Sequence, residues 1–151
     1  MIKLLLVEDD ATLRYMIRNS LEVVIGGYEM AEAANGAEGL ELWKTFRPDI
    51  IVADVEMPVM DGYEMVAKIR ETDRLQPIVF ASGMEDPSHV MRGYEVGVNN
   101  YIKKPYLPEE LDAHVRALLR NINMGGRMEN NTETYPIGRW KFNAEKASLS
   151  D

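Results

Sequence analysis

The sequence predicts an α/β fold, an open five-stranded parallel sheet, doubly wound, with helices on both faces. Three observations carry this expectation. Short strand-like runs recur at 1–7, 28–33, 50–53, 77–81 and 100–103, and the central one, Ile50-Ile51-Val52-Ala53, has no polar member, as a strand buried on both faces requires. The segments between the runs repeat apolar residues every three or four positions, the period of a helix packed along one side. Strand and helix therefore alternate from the amino terminus to about residue 121, which calls for short right-handed crossovers and hence parallel strands.

Met1–Val7 is the first strand, followed at once by Glu8, Asp9 and Asp10, three adjacent carboxylates that repel one another. From Ala11 onward Leu13, Met16, Ile17, Leu21 and Val24 have helical spacing, and Gly26-Gly27 ends the helix. Tyr28–Ala33 forms the second strand, and Asn35-Gly36 opens a helix through Leu40, Trp43 and Phe46 that Pro48 closes. The central strand stops at Asp54 and breaks into a Pro/Gly loop, Val55 to Gly62, in which Asp61 reads as a turn residue. Gly62–Glu71 is helical, with Tyr63, Val66, Ala67 and Ile69 facing inward. Pro77–Ala81 is the fourth strand and ends at Ser82-Gly83. Pro87 suits the first position of a helix that Val90, Met91 and Tyr94 continue to Gly97. Asn100–Lys103 is a short fifth strand ending at Lys104-Pro105, and Pro108-Glu109-Glu110 put acid in the first turn of the last helix, with Leu111, Val115, Leu118 and Leu119 as its apolar stripe. Residues 122–134 lose this periodicity and gain Gly and Asn, as a flexible linker does. Residues 135–151 are expected to begin a second, truncated domain, leaving 1–121 as the first.

Composition excludes several classes. Without cysteine there is no disulfide framework and no thiolate metal site, which suits the cytoplasm. His89 and His114 are too few and too far apart for zinc. No run approaches the ~18 apolar residues of a membrane span, and a strand running straight into acid is unlike a signal peptide. A net charge of −8 sets this chain against binding nucleic acid itself. No G-x-x-x-x-G-K-[ST] loop is present, so direct use of ATP is not supported.

In open α/β sheets ligands bind beyond the carboxyl ends of the strands. The expected topology brings Glu8, Asp9, Asp54, Ser82 and Lys104 to that rim, each just past a strand's last apolar residue. Taken singly each has a plainer reading: Asp54 as a turn or cap, Lys104 as a solvated lysine, Asp10 as a helix cap rather than a ligand, the ten methionines as pliable core. Together they describe a site. Clustered carboxylates cannot all ionise without a compensating cation, and an all-oxygen set suits Mg²⁺ or Mn²⁺. A divalent ion and a lysine would neutralise phosphoryl oxygens while a hydroxyl donates to another, with Asp54 as nucleophile.

Four motifs in order, Leu-Leu-Val-Glu8-Asp9-Asp10, Asp54-Val-Glu-Met-Pro58-Val-Met-Asp-Gly62, Pro77-Ile-Val-Phe-Ala-Ser82-Gly and Asn-Tyr101-Ile-Lys-Lys104-Pro105-Tyr, resemble the receiver domain of bacterial response regulators. The last helix and the Tyr-Pro-Ile-Gly-Arg-Trp tail look like the OmpR/PhoB branch, whose second domain is a DNA-binding winged helix. The resemblance implies a flavodoxin/CheY-like strand order 2-1-3-4-5, Asp54 as phospho-acceptor, Asp9 as direct metal ligand and Glu8 acting through water. It also implies the backbone carbonyl of Glu56 as a further ligand, Lys104 on the phosphoryl group, a cis Lys104-Pro105 bond, and Ser82 with Tyr101 as a switch pair. The implied partners are a sensor histidine kinase and DNA only through the missing domain, and a homodimer is also open. The implied protein is no enzyme beyond its own phosphorylation and dephosphorylation.

Some positions depart from the family. Asn99-Asn100 stand where Asp-Asp is common, His114 where Arg is common, and Val90 at a usually basic position. The charged pairs of a two-fold interface through the fourth helix, fifth strand and fifth helix are thus partly missing. Two other readings compete. Asp54-Val-Glu56 faintly echoes the acid pair of haloacid dehalogenase-type phosphatases, although Glu56 replaces the second Asp and no cap insertion exists. A pseudo-receiver would keep the fold as a binding module without the chemistry.

Overall fold

Five parallel strands in the order 2-1-3-4-5 form the centre of the structure, a computed structural model that describes residues 1–84 and 86–130. They are β1 (Ile2–Val7), β2 (Tyr28–Ala33), β3 (Ile50–Ala53), β4 (Ile78–Ser82) and β5 (Asn100–Lys103). The helices are α1 (Ala11–Asn19), α2 (Gly36–Phe46), α3 (Gly62–Thr72), α4 (Pro87–Val96) and α5 (Pro108–Asn130). All residues of β3 and β4 are buried, the two-sided burial that their unbroken apolar runs demand. β1 lies between β2 and β3, pairing Leu4 with both Met30 and Ile50. The order of the chain therefore reverses between β1 and β3, and their carboxyl ends open the crevice where Glu8 and Asp54 emerge.

The helix starts follow their caps. Asp10 accepts from the backbone N–H groups of Thr12 and Leu13, Asn35 from Glu38 and Asp61 from Glu64. Asp61, read from sequence as a turn residue, is thus the α3 cap.

Packing departs from the sequence pattern in two helices. In α3 the buried side chains are Tyr63, Met65, Val66 and Ile69, while Ala67 is exposed, because at 3.6 residues per turn the stripe that starts at Gly62 passes through 65, 66 and 69. In the first helix only Ile17 and Leu21 are buried, and Met16 and Val24 face solvent. For Val24 the cause is a π-helical segment, Ser20–Ile25, that continues α1 and closes with Gly26 N–H donating to Leu21 O at 2.9 Å. The wider turn rotates Val24 off the buried side.

The chain divides into two units, Met1–Val115 and Arg116–Asp151. The first holds the whole sheet. The helix α5 runs to Asn130, so residues 122–130 are helical where a linker was expected. Between Pro108 and Pro136 no proline interrupts the helix, and two glycines cost only ~1 kcal/mol each in helical propensity. Residues 131–134 and the expected second domain at 135–151 lie outside the described residues. No helix among the described residues is long and apolar enough to cross a membrane.

Candidate functional site

Lys104 Nζ sits between two carboxylates at the carboxyl rim, 2.7 Å from Glu8 Oε1 and 2.9 Å from Asp54 Oδ2. Three strands position these groups. Asp54 N–H donates to Val7 O and Glu8 N–H to Ala33 O, which extends the ladder one step beyond β1 and β3. Lys104 N–H donates to Ser82 O at 2.9 Å, tying the end of β5 to the end of β4, and the Lys104–Pro105 bond is cis. Glu8, Asp9 and Asp54 bring carboxylate oxygens within 4.8 Å of one another.

The electrostatics follow from this crowding. Burial raises the Glu8 carboxyl above its ordinary range, and hydrogen bonds from Lys104 and the Asp10 N–H offset this only in part. Burial works the other way on Lys104, yet the hydrogen bonds to Glu8 and Asp54 outweigh it and hold its ammonium above the usual lysine range. Tyr106 follows in the same loop, and burial, with the charges of Glu8 and Asp54, pushes its phenol up strongly. One lysine faces three carboxylates, so the site has room electrostatically for a second cation. The donor set fits a hard one: it is entirely oxygen, and among the described residues the Asp9 carboxylate and the Glu56 carbonyl accept no hydrogen bond. The residues that could hold a metal ion are thus Glu8, Asp9 and Asp54, with the Glu56 carbonyl on the adjoining loop.

That loop is held rigidly. Met60 N–H donates to Pro58 O at 2.7 Å around Val59, whose φ of 69° makes this a γ-turn of the rare, positive-φ kind. Gly36 N–H donates to Met60 O at 2.9 Å, and Gly62 N–H to Val55 O at 2.8 Å. A Cβ on Gly62 would stand 2.4 Å from Asp54 O, so glycine is what lets α3 begin against the backbone of Asp54.

Ser82 is buried at the end of β4, and its Oγ accepts from Met84 N–H at 3.1 Å. Tyr101 is turned inward: its ring meets Phe80 edge-on with centroids 6.1 Å apart, and its hydroxyl donates to Met84 O. Gly93 of α4 leaves the space, since a Cβ there would lie 3.3 Å from the Tyr101 ring. All the rim residues named from sequence are therefore neighbours. Sequence reasoning missed Gly93 and Arg70, which donates through Nε and Nη2 to Gly97 O at 3.0 and 2.7 Å and pins the end of α4. It also did not foresee the bonds of Asn99, an exposed residue whose Oδ1 accepts from Ile78 N–H at 2.8 Å and from Arg70 Nη2 at 3.3 Å. Only the Gly97 cap, with φ 114°, hinted at a tight junction there.

A doubly wound sheet with three acids and a lysine on its carboxyl rim defines a receiver, and the chain belongs to that family: the response regulator receiver domain matches residues 4–116. Membership sets aside the dehalogenase-type phosphatase. Among its relatives is the transcriptional regulatory protein AfsQ1 of Streptomyces coelicolor, 43% identical over 117 residues, covering 78% of this chain and 51% of that protein. The chain spans about half to three-fifths of the length of the curated relatives it matches. Among solved structures, the chemotaxis response regulator CheY4 of Vibrio cholerae superposes with a TM-score of 0.72 at 34% identity, over 78% of this chain and 98% of that one. The receiver domain of the Francisella response regulator 1452 does so at 0.75 and 27%, over 81% and 99%.

Proposed function

We propose that this chain is the phosphoryl-accepting half of a two-component transcriptional regulator of the cytoplasm, with Asp54 the acceptor. The observation that carries the reading is Lys104 bridging Glu8 and Asp54 while the Asp9 carboxylate beside them has no partner among the described residues. An Asp54 oxygen attacks the phosphorus of a phosphohistidine on a sensor kinase. The new P–O bond forms as the P–N bond breaks, and the imidazole keeps the electron pair and takes a proton. Asp9, Asp54 and the Glu56 carbonyl would hold Mg²⁺ or Mn²⁺ directly and Glu8 through water, and the ion supplies charge neutralisation for the phosphoryl oxygens. Lys104 leaves Asp54 to pair with a phosphoryl oxygen, and the Ser82 hydroxyl donates to another.

The readout is the surface of α4, β5 and α5, with Ser82 and Tyr101 as the switch pair. Support comes from α4, which buries only Gly93 and exposes Met91 and Tyr94, so it is weakly anchored between Tyr101 and the Arg70 clamp. The Tyr101 ring seated edge-on against Phe80, with its hydroxyl donating to Met84 O, supports this pairing, and phosphorylation would act by shifting the population of that packing. Transcription control would act through a DNA-binding domain that follows. Pairing through this surface should be weak and insensitive to salt, because Asn99 and Asn100 carry no charge to pair across it and already bond within the chain, Asn99 to Ile78 N–H and Arg70, Asn100 to Tyr94, Tyr101 N–H and His114. Sedimentation of the phosphorylated chain across salt concentrations tests this, and a tight dimer that dissociates steeply with salt would contradict it.

The decisive experiment is the mass of the chain after incubation with acetyl phosphate and Mg²⁺. A single phosphoryl adduct, absent in Asp54→Asn and in excess chelator, is expected. An adduct that persists in Asp54→Asn would overturn the assignment. No adduct in the wild type would leave the pseudo-receiver.

A further inference from the structure

Arg14 is an arginine in an unexpected place. It lies one turn into α1, near the positive end of the helix dipole, where a cation is disfavoured. Its guanidinium is largely buried and doubly held: Nε donates to Glu32 Oε1 at 3.0 Å, and Nη1 donates to the backbone carbonyl of Glu8 at 2.6 Å. Among the described residues that carbonyl has no other partner. Glu32 in turn accepts from Arg18 at 2.6 Å, and Arg18 from its Nε reaches Glu22, which accepts from Met30 N–H. A continuous polar chain thus runs from β2 to the one peptide group that joins Glu8 to Asp9.

That peptide decides the geometry of the acidic site. The Glu8 side chain is held from the front by Lys104 and by Asp10 N–H at 3.1 Å, and its backbone N–H is held by β2. The Asp9 carboxylate, by contrast, is steered only by the backbone it hangs from, and the Glu8–Asp9 peptide plane fixes where its oxygens fall relative to Asp54. We propose that Arg14 is a positioning residue that sets divalent-cation affinity by locking the Glu8–Asp9 peptide from behind, without touching the ion or the phosphoryl group. This rests on the metal-binding reading above. Residues that orient metal ligands commonly change affinity 10- to 100-fold when removed, and Arg14 supplies that orientation through a carbonyl rather than through a ligand side chain.

The test is a Mg²⁺ titration of the full chain, followed by the amide chemical shifts of Asp9 and Asp54, in wild type, Arg14→Gln, Arg14→Lys, Glu32→Gln and Asp9→Asn, with the Tm of each metal-free protein. Arg14→Gln is expected to raise the Kd roughly tenfold or more, with Arg14→Lys in between. Glu32→Gln breaks the same ion pair but keeps the bond to the Glu8 carbonyl. It should lower the Tm as much as Arg14→Gln does while changing Kd less than about threefold. A Kd for Arg14→Gln within twofold of a wild type that binds, or an equal shift in Glu32→Gln, overturns the inference. Should Arg14→Gln fail to fold, Arg14→Lys with an unchanged Kd overturns it equally. No binding by the wild type, or an unchanged Kd in Asp9→Asn, would instead defeat the metal-binding reading itself and this inference with it.

Discussion

Replacing Gly62 by alanine should damage the acceptor chemistry proposed for Asp54 more than its small size suggests. The added methyl would lie 2.4 Å from Asp54 O, 3.0 Å from the Phe80 ring and 3.1 Å from Val55 Cα. Ordinary carbon–oxygen contact begins at ~3.3 Å, so the gap must open by about 0.9 Å. Two of the three atoms are backbone and cannot rotate aside, so either α3 lifts or the end of β3 moves with Asp54. Backbone conformation is not the obstacle, because φ at Gly62 is not positive. Alanine would otherwise be favoured over glycine in the helix by about 1 kcal/mol. Overpacking of this kind costs ~1–3 kcal/mol, a Tm lower by roughly 5–15 °C in a domain of this size class. A reacting group displaced by ~1 Å loses on the order of 100-fold in rate. Thermal unfolding by circular dichroism and the rate of adduct formation with acetyl phosphate measure the two effects. A Tm equal to or above wild type, with a rate within threefold, would refute the reasoning.

Two carboxylates should give pH dependences of opposite sign. Burial raises Glu32, but hydrogen bonds from Arg18 and Arg14 outweigh it and hold its carboxyl below the usual range. Its stabilisation is therefore present above the unfolded value of 4.5 and lost as pH falls through the lower folded value. Glu32→Gln should be less stable than wild type at neutral pH by on the order of 1 kcal/mol, with the deficit vanishing in acid. Glu8 is raised, so its contribution is present below 4.5 and lost as pH rises; Glu8→Gln should gain on wild type above that pH. Urea midpoints from pH 3 to 8 test both, and parallel curves would contradict them. Val59→Gly relieves a β-branched residue at φ 69° that is 83% exposed, and so loses little packing; a gain of about 1 kcal/mol is expected, and a lowered Tm would count against the strain. Gly93→Val should drive the Tyr101 ring outward, abolishing its nuclear Overhauser contacts to Phe80, whereas Gly93→Ala needs only a few tenths of an ångström at contacts of 3.2–3.3 Å; Tyr101 contacts retained in the valine variant would refute this packing.

Strand and helix positions, and the rim residues of the site, were legible in the sequence because they depend on local quantities. An unbroken run such as Ile50–Ala53 can bury both faces only in a central strand, and Asp10 and Asn35 stand where an N-cap must stand. Each strand's last apolar residue marks its end, and in a parallel sheet those ends share one rim, so Glu8, Asp9, Asp54, Ser82 and Lys104 could be gathered without coordinates.

Tertiary structure alone decided what depends on residues distant in sequence. The π-helical end of α1 comes from a Leu21–Gly26 bond that no periodicity announces, and it turned Val24 to solvent. Arg70 on α3 and Asn99 before β5 meet only because β4 and β5 are neighbours, so an exposed residue at a usual interface position also braces its own chain. Arg14 reaches Glu8 through one helical turn but Glu32 through the pairing of β1 with β2. Apolar patterning is written residue by residue, since burial of each side chain depends mainly on the face it occupies. A guanidinium's partners are set by which strands lie side by side, and that information exists only after the sheet has formed.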